Sequence, residues 1–178
     1  MNNKNNAFFD FLKKINGFIL SLEEILLVII TVGLCAVIFI EVLCRYIFFT
    51  PTAWSEELAR YLFIILTFIG AAYACGHHDH IEIDIINQVL EKIPAIKDTA
   101  RAKRMVDVVA NITTIIFLVV FNSIFWGYMA QIRKLNLLSP TMHLPMFWIY
   151  FTVYLGGVLS ILHLIYLVLC DLFQTDAA

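Results

Sequence analysis

Glu41-Val-Leu-Cys-Arg45-Tyr46 and, eight residues further on, Trp54-Ser-Glu-Glu-Leu-Ala-Arg60-Tyr61 form the stretch on which the reading of this chain turns. It joins two long apolar runs, so carboxylates and arginines stand at or just inside the edges of segments long enough to cross a membrane. An ionisable group in hydrocarbon costs about 2.5–3.5 kcal/mol on insertion scales, so it usually has a partner or a job. Glu41/Arg45 and Glu56/Arg60 both have the i,i+4 spacing that puts two side chains on one helical face. Two readings follow. Either the four charges satisfy one another near the membrane surface, or Arg45 and at least one glutamate bridge to a partner subunit.

The rest of the chain supports a membrane setting. Hydrophobic residues make up 61% of the 178 and the mean hydropathy is +0.86, against about 45–50% apolar residues in soluble domains. Four runs carry no charge: residues 25–40, 61–76, 108–132 and 135–170. A span needs about 20 mostly apolar residues, which the first two runs reach by extending through 42–49 and back to Leu58. The last is too long for one span, and Ser139-Pro140 and Pro145 break it. The expected fold is an all-α membrane protein, one four-helix domain over 1–178, with spans at about 23–48, 57–76, 106–132 and 146–171. The first run is not expected to be a cleaved signal peptide, because it is long and no small-x-small site follows it.

Lys and Arg placement predicts the orientation. Lys4, Lys13 and Lys14 precede the first span, and Lys92, Lys97, Arg101, Lys103 and Arg104 lie between spans two and three. Only Arg45, Arg60, Arg133 and Lys134 fall on the other side. The positive-inside rule then puts both termini in the cytoplasm. Cys35, Cys44, Cys75 and Cys170 sit in or at the ends of spans, where they act as small apolar residues and no disulfide is expected. The net charge of −2 gives no reason to expect nucleic acid.

Two amphipathic segments flank the spans. Phe8, Phe11, Leu12, Ile15, Phe18, Ile19 and Leu22 recur at helical spacing, with Asp10, Lys13, Lys14 and Asn16 largely opposite. This predicts an interfacial helix at about 7–22, bent at Gly17, that anchors the N-terminus or clamps a partner. A second is predicted at about 80–92, followed by the basic run 97–104, which suits anionic lipid headgroups. Asn111, Thr113, Thr114, Asn122 and Ser123 give the third span polar groups for interhelical hydrogen bonds, and Gly70-Ala71-Ala72 gives the second a place for close approach.

Few residues suggest chemistry. Ser55 is a candidate cap, with Glu56 and Glu57 well placed in a first helical turn. Trp54 suits the interfacial aromatic belt as well as a partner surface. His77, His78, His80, Glu82 and Asp84 have metal-ligand chemistry without the spacing of a specific site, and Asp79 suits a helix cap while Asp84 suits a basic partner. His163 lies deep in the last span, with His143 near its other end. A haem held by a four-helix anchor needs two facing axial histidines, and His77 or His78 could supply the second; a single hydrogen-bonded histidine is the plainer reading. No nucleophile–base pair, phosphate loop or redox cysteine motif is visible, so the chain does not read as an enzyme.

The run Arg45-Tyr-Ile-Phe-Phe-Thr-Pro51-Thr-Ala-Trp54-Ser-Glu56-Glu57-Leu-Ala-Arg60 resembles the signature of the DctQ-like small membrane subunit of tripartite ATP-independent periplasmic (TRAP) transporters. Gly70-Ala71, His80-Ile-Glu-Ile-Asp84, Pro140, and Leu144-Pro145 with Trp148 and Tyr150 extend the likeness over nearly the whole chain. It departs from the pattern at Tyr154-Leu-Gly156-Gly157, where the family often has a proline before the glycine; this bears on local helix shape. The resemblance implies an obligate heterodimer with a large DctM-like subunit, an elevator that holds the substrate and sodium sites. It also implies a transient periplasmic binding protein, membrane lipids around the complex, a bacterial inner-membrane location, and no cofactor or substrate site in this chain. The transported molecule would be an organic acid, nearest the sialic acid type, with C4-dicarboxylates the other candidate. Glu41, Arg45, Tyr46, Trp54, Glu56, Glu57, Arg60, His80 and Asp84 are then the residues expected at or ordering the subunit interface. The competing classes are a haem- or quinone-associated anchor of a respiratory complex and a stand-alone four-span scaffold.

Overall fold

A computed structural model describes residues 3–77 and 99–173, with side chains over 10–77 and 105–170. The expected helix at 80–92, with His78, Asp79, His80, Glu82 and Asp84, lies outside the described residues. Four helices make up the described residues: α1 (Asn3–Tyr46), α2 (Ala53–Gly76), α3 (Thr99–Leu135) and α4 (Met146–Phe173). All four are long and apolar enough to cross a membrane. The chain is an all-α, multi-pass membrane protein.

Segment 7–22 and the first span form one helix rather than two, and Gly17 does not break it. At about 1.5 Å per residue, 44 residues reach about 66 Å, roughly twice a 30 Å hydrocarbon core. The helix therefore runs well beyond the bilayer core or along its surface. It ends at Tyr46: Phe49 takes a left-handed φ of 53°, the Thr50 N–H reaches back to the Cys44 carbonyl at 3.1 Å, and Pro51 follows. α2 begins at Ala53 with Thr52 in the cap position, so Ser55 is not the cap. Instead Ser55 is buried in the first turn, where its hydroxyl donates to the Thr52 carbonyl at 2.9 Å and meets the Thr52 hydroxyl at 2.5 Å. Pro140 and Pro145 separate α3 from α4 as expected. The link is a tight loop in which Leu138 pairs with Pro145 in an antiparallel bridge and the Met146 N–H donates to the Leu137 carbonyl at 3.0 Å.

The helices do not close around a common core. α1 packs on α2, α2 on α4 and α4 on α3, while α1 meets α4 over a short stretch and α3 touches neither α1 nor α2 among the described residues. The result is a row, in the order α1–α2–α4–α3, with α4 sandwiched in its interior. Gly156 and Gly157 make that position possible. A Cβ on Gly156 would lie 2.7 Å from the Phe68 carbonyl oxygen of α2, and one on Gly157 would lie 2.6 Å from the Asn122 amide of α3. Adjacent glycines thus admit close neighbours on two sides, and α4 remains one continuous helix where the family pattern often has a proline. The third span's Phe121, Phe125 and Tyr128 stack toward Tyr150, with Tyr128 and Tyr150 edge-to-face at 5.4 Å.

Candidate functional site

Two polar anchors hold the row, one near each end of the helices. The first centres on Glu57, one turn into α2 and 7% exposed. Its Oε2 accepts the backbone N–H groups of Thr141 at 2.9 Å and Met142 at 3.0 Å, and its Oε1 accepts the Tyr61 hydroxyl at 2.5 Å. Those two amides belong to the α3–α4 link, which Ser139 braces: its N–H donates to the Leu144 carbonyl at 2.9 Å and its Oγ accepts the Leu144 N–H at 3.2 Å. A carboxylate with three donors is the arrangement that lets a charge stay buried. Glu57, expected at or ordering the subunit interface, is thus satisfied within its own chain, and it ties the start of α2 to the 133–145 connection.

The second anchor joins α1 to α4. His163 is fully buried; its Nδ1 lies 2.6 Å from Asn16 Oδ1 and its Nε2 lies 3.3 Å from Glu23 Oε1. Gly76 of α2 closes over the ring, where a Cβ would stand 3.1 Å from Nδ1. Both ring nitrogens face side-chain partners, which fits the plainer reading of His163 as a hydrogen-bonded histidine. Asn16, expected on the polar face of an interfacial helix, points inward instead. Glu23 was missed altogether, although Asn16 and Glu23 are seven residues apart and so share one helical face.

The other expected site residues among those described stay outside both anchors. Arg45 donates to Glu41 at 2.7 Å and Arg60 to Glu56 at 3.1 Å, as the i,i+4 spacing required. Glu41 is largely covered, but Arg45, Glu56 and Arg60 are exposed, as are Tyr46 and Trp54. Around them Ile47, Phe48 and Phe49 stand open, Phe49 at 83%. His77, the described member of the histidine and carboxylate group, meets the Tyr73 carbonyl at 3.3 Å and its ring, and no cluster able to hold a metal ion occurs among the described residues. Cys35, Cys44, Cys75 and Cys170 are free thiols.

The class defined by this architecture is a four-span membrane protein whose buried polar groups hold helices and loops to one another. Residues 34–174 match the family described as tripartite ATP-independent periplasmic transporters, DctQ component, and the chain belongs to that family. The family is one of transport proteins, not of enzymes. Two relatives of comparable length agree. One, from Vibrio cholerae, is named sialic acid TRAP transporter small permease protein SiaQ and is 26% identical over 84% of this chain and 81% of its own. The other, from Haemophilus influenzae, is named putative TRAP transporter small permease protein and is 28% identical over 83% and 86%. A third, the Haemophilus influenzae sialic acid TRAP transporter permease protein SiaT, is 31% identical over 83 residues, covering 46% of this chain but 14% of that much longer protein.

Proposed function

We propose that this chain braces the scaffold of a large, elevator-type membrane subunit in a sodium-coupled TRAP transporter, and that it carries no substrate site of its own. The family match across residues 34–174 carries this reading. The row of helices supports it physically. A row cannot bury the faces of its outer members, and α1 leaves Ile29, Val32 and Phe39 exposed while α3 leaves Ile116, Phe117 and Ile124 exposed. Lipid can cover some of this surface, but a slab one helix thick gains rigidity from a second layer of protein. The match to a segment of a much longer permease supports a partnership in which small-subunit and large-subunit sequences work side by side.

In this reading the complex sits in the bacterial inner membrane with both termini cytoplasmic. The basic residues of 92–104 and the N-terminal lysines face anionic lipid. Glu41, Arg45, Tyr46, Trp54, Glu56 and Arg60 contact the large subunit, and Glu57 orders that surface from behind. His80 and Asp84 contribute from the other side of the membrane. The loops gathered by Glu57 lie beside a periplasmic binding protein that delivers an organic acid, sialic acid foremost and C4-dicarboxylate second. The experiment is co-expression with the large membrane protein encoded alongside, followed by detergent extraction through a tag on this chain. A stable one-to-one, colourless complex is the expected result. A chain that purifies alone, or a pigmented sample, would overturn the reading.

A further inference from the structure

Between α3 and α4 runs an open groove of about 430 Å³, in which Asn122, Ser123 and Trp126 face Tyr154, Val158 and Ile161. The groove lies near the middle of both spans, Met105–Leu135 and Met146–Cys170. Its walls are mostly apolar, with Asn122, Ser123 and Tyr154 the clearly polar side chains among them. Asn122 is 6% exposed, and neither its Oδ1 nor its Nδ2 has a hydrogen-bond partner. The amide lies over Gly157, whose missing side chain supplies the room but no donor or acceptor. Beside it Ser123 is open, and Trp126 is 55% exposed.

An amide with both a donor and an acceptor unused is unfavourable in hydrocarbon, where no water competes for it. At this depth lipids offer acyl chains alone, so a complementary group has to come from protein. The α3 and α4 walls place residues at i, i+3 or i+4 and i+7 spacing, which gives a channel about two turns long between two helical ridges. Its shape therefore suits another helix. Its polar centre suits a helix carrying an amide or hydroxyl side chain at mid-membrane.

We propose that this groove seats a transmembrane helix of the large partner subunit, and that Asn122 turns from Gly157 to exchange hydrogen bonds with a polar side chain on that helix. The inference rests on the small-subunit reading above and adds to it a particular seam, at mid-membrane, away from the exposed charges of 41–60.

The test uses the intact complex in native membranes. A photoreactive benzoylphenylalanine placed at Ser123 should, on irradiation, form an adduct with the large subunit. Asn122→Leu should leave the isolated chain folded, since it removes an unpartnered amide from an apolar site, and its thermal midpoint should be unchanged or higher. The same variant should retain about tenfold less large subunit on the affinity column, the scale of one interhelical hydrogen bond. Adducts with a second copy of this chain or with lipid, or full retention by Asn122→Leu, would overturn the groove assignment while wild-type co-purification still upheld the small-subunit reading. A wild-type chain that retains no large subunit would remove both.

Discussion

His163 and Glu23 are 140 residues apart in the chain and meet at 3.3 Å between α1 and α4, both buried. Helices at the edge of a row have few neighbours to hold them, and α1 meets α4 over a short stretch. The pair, with Asn16 on the other ring nitrogen, is what joins α1 to α4 directly in addition to its packing on α2. Breaking a buried pair by removing one member leaves the other without compensation.

His163→Leu and Glu23→Leu should therefore each destabilise the chain by about 1–3 kcal/mol. The double replacement should cost less than the two single losses combined, because neither member of the pair is left facing an apolar side chain and Asn16 alone loses a partner. Thermal melting of the four species in one detergent gives the coupling directly. Additive losses would show that the pair is incidental to the α1–α4 junction. The wild-type chain should show no absorption in the Soret region, because both His163 ring nitrogens face side-chain partners.

Glu57→Ala should release the α3–α4 link. The Thr141 and Met142 amides lose their shared acceptor and Tyr61 loses its own. Hydrogen exchange at those two amides should speed up by roughly tenfold or more, while the middle of α2 stays protected. Glu57→Gln keeps one carbonyl acceptor but supplies two donors where the site offers only donors, so it should lie nearer the alanine variant than the wild type. Unchanged exchange in Glu57→Ala would mean that Ser139 and the Leu138–Pro145 bridge suffice to hold the loop.

The glycines of the spans should separate into two groups. Gly156→Ala forces a Cβ to within 2.7 Å of the Phe68 carbonyl, a backbone atom that cannot swing aside, so α2 and α4 must move apart. The expected cost is about 1–3 kcal/mol. Gly33→Ala and Gly127→Ala meet nothing within 4 Å and should be neutral or stabilising by up to about 1 kcal/mol, the helix-propensity difference. Melting temperatures of the three variants check this, and a benign Gly156→Ala would refute the close α2–α4 crossing.

How far the sequence disclosed these arrangements depended on the range of the interaction. The four spans came from apolar run lengths, and Arg45–Glu41 and Arg60–Glu56 from spacing alone, because those signals are local to one helix. The proline breaks before α4 were equally local. The intrachain partners of Glu57 were not legible, since nothing near it in sequence says that its carboxylate would meet amides 84 and 85 residues away. Asn16 and Glu23 were hidden by their neighbours. Beside Lys13 and Lys14, Asn16 reads as part of a solvated face and Glu23 draws no notice, and only their two-turn separation hints at a shared direction. The row itself has no sequence signature, since apolar faces toward lipid and toward protein look alike.

Arg45→Glu is the last and most direct test of the outer surface. Its Arg45–Glu41 pair is half open to solvent, and such pairs contribute little to stability, so the isolated chain should melt within a degree or two of wild type. The replacement nonetheless puts two carboxylates at i,i+4 on α1, beside the exposed Tyr46 and Phe49, and reverses the sign a partner meets. If that surface faces the large subunit, retention of the subunit and sodium-driven uptake should both fall by at least an order of magnitude. Charge reversal at Arg60, exposed on the same end of the row, should act in the same direction. Normal uptake by Arg45→Glu in cells, with the variant present at wild-type levels, would show that the two ion pairs serve only each other and the membrane surface.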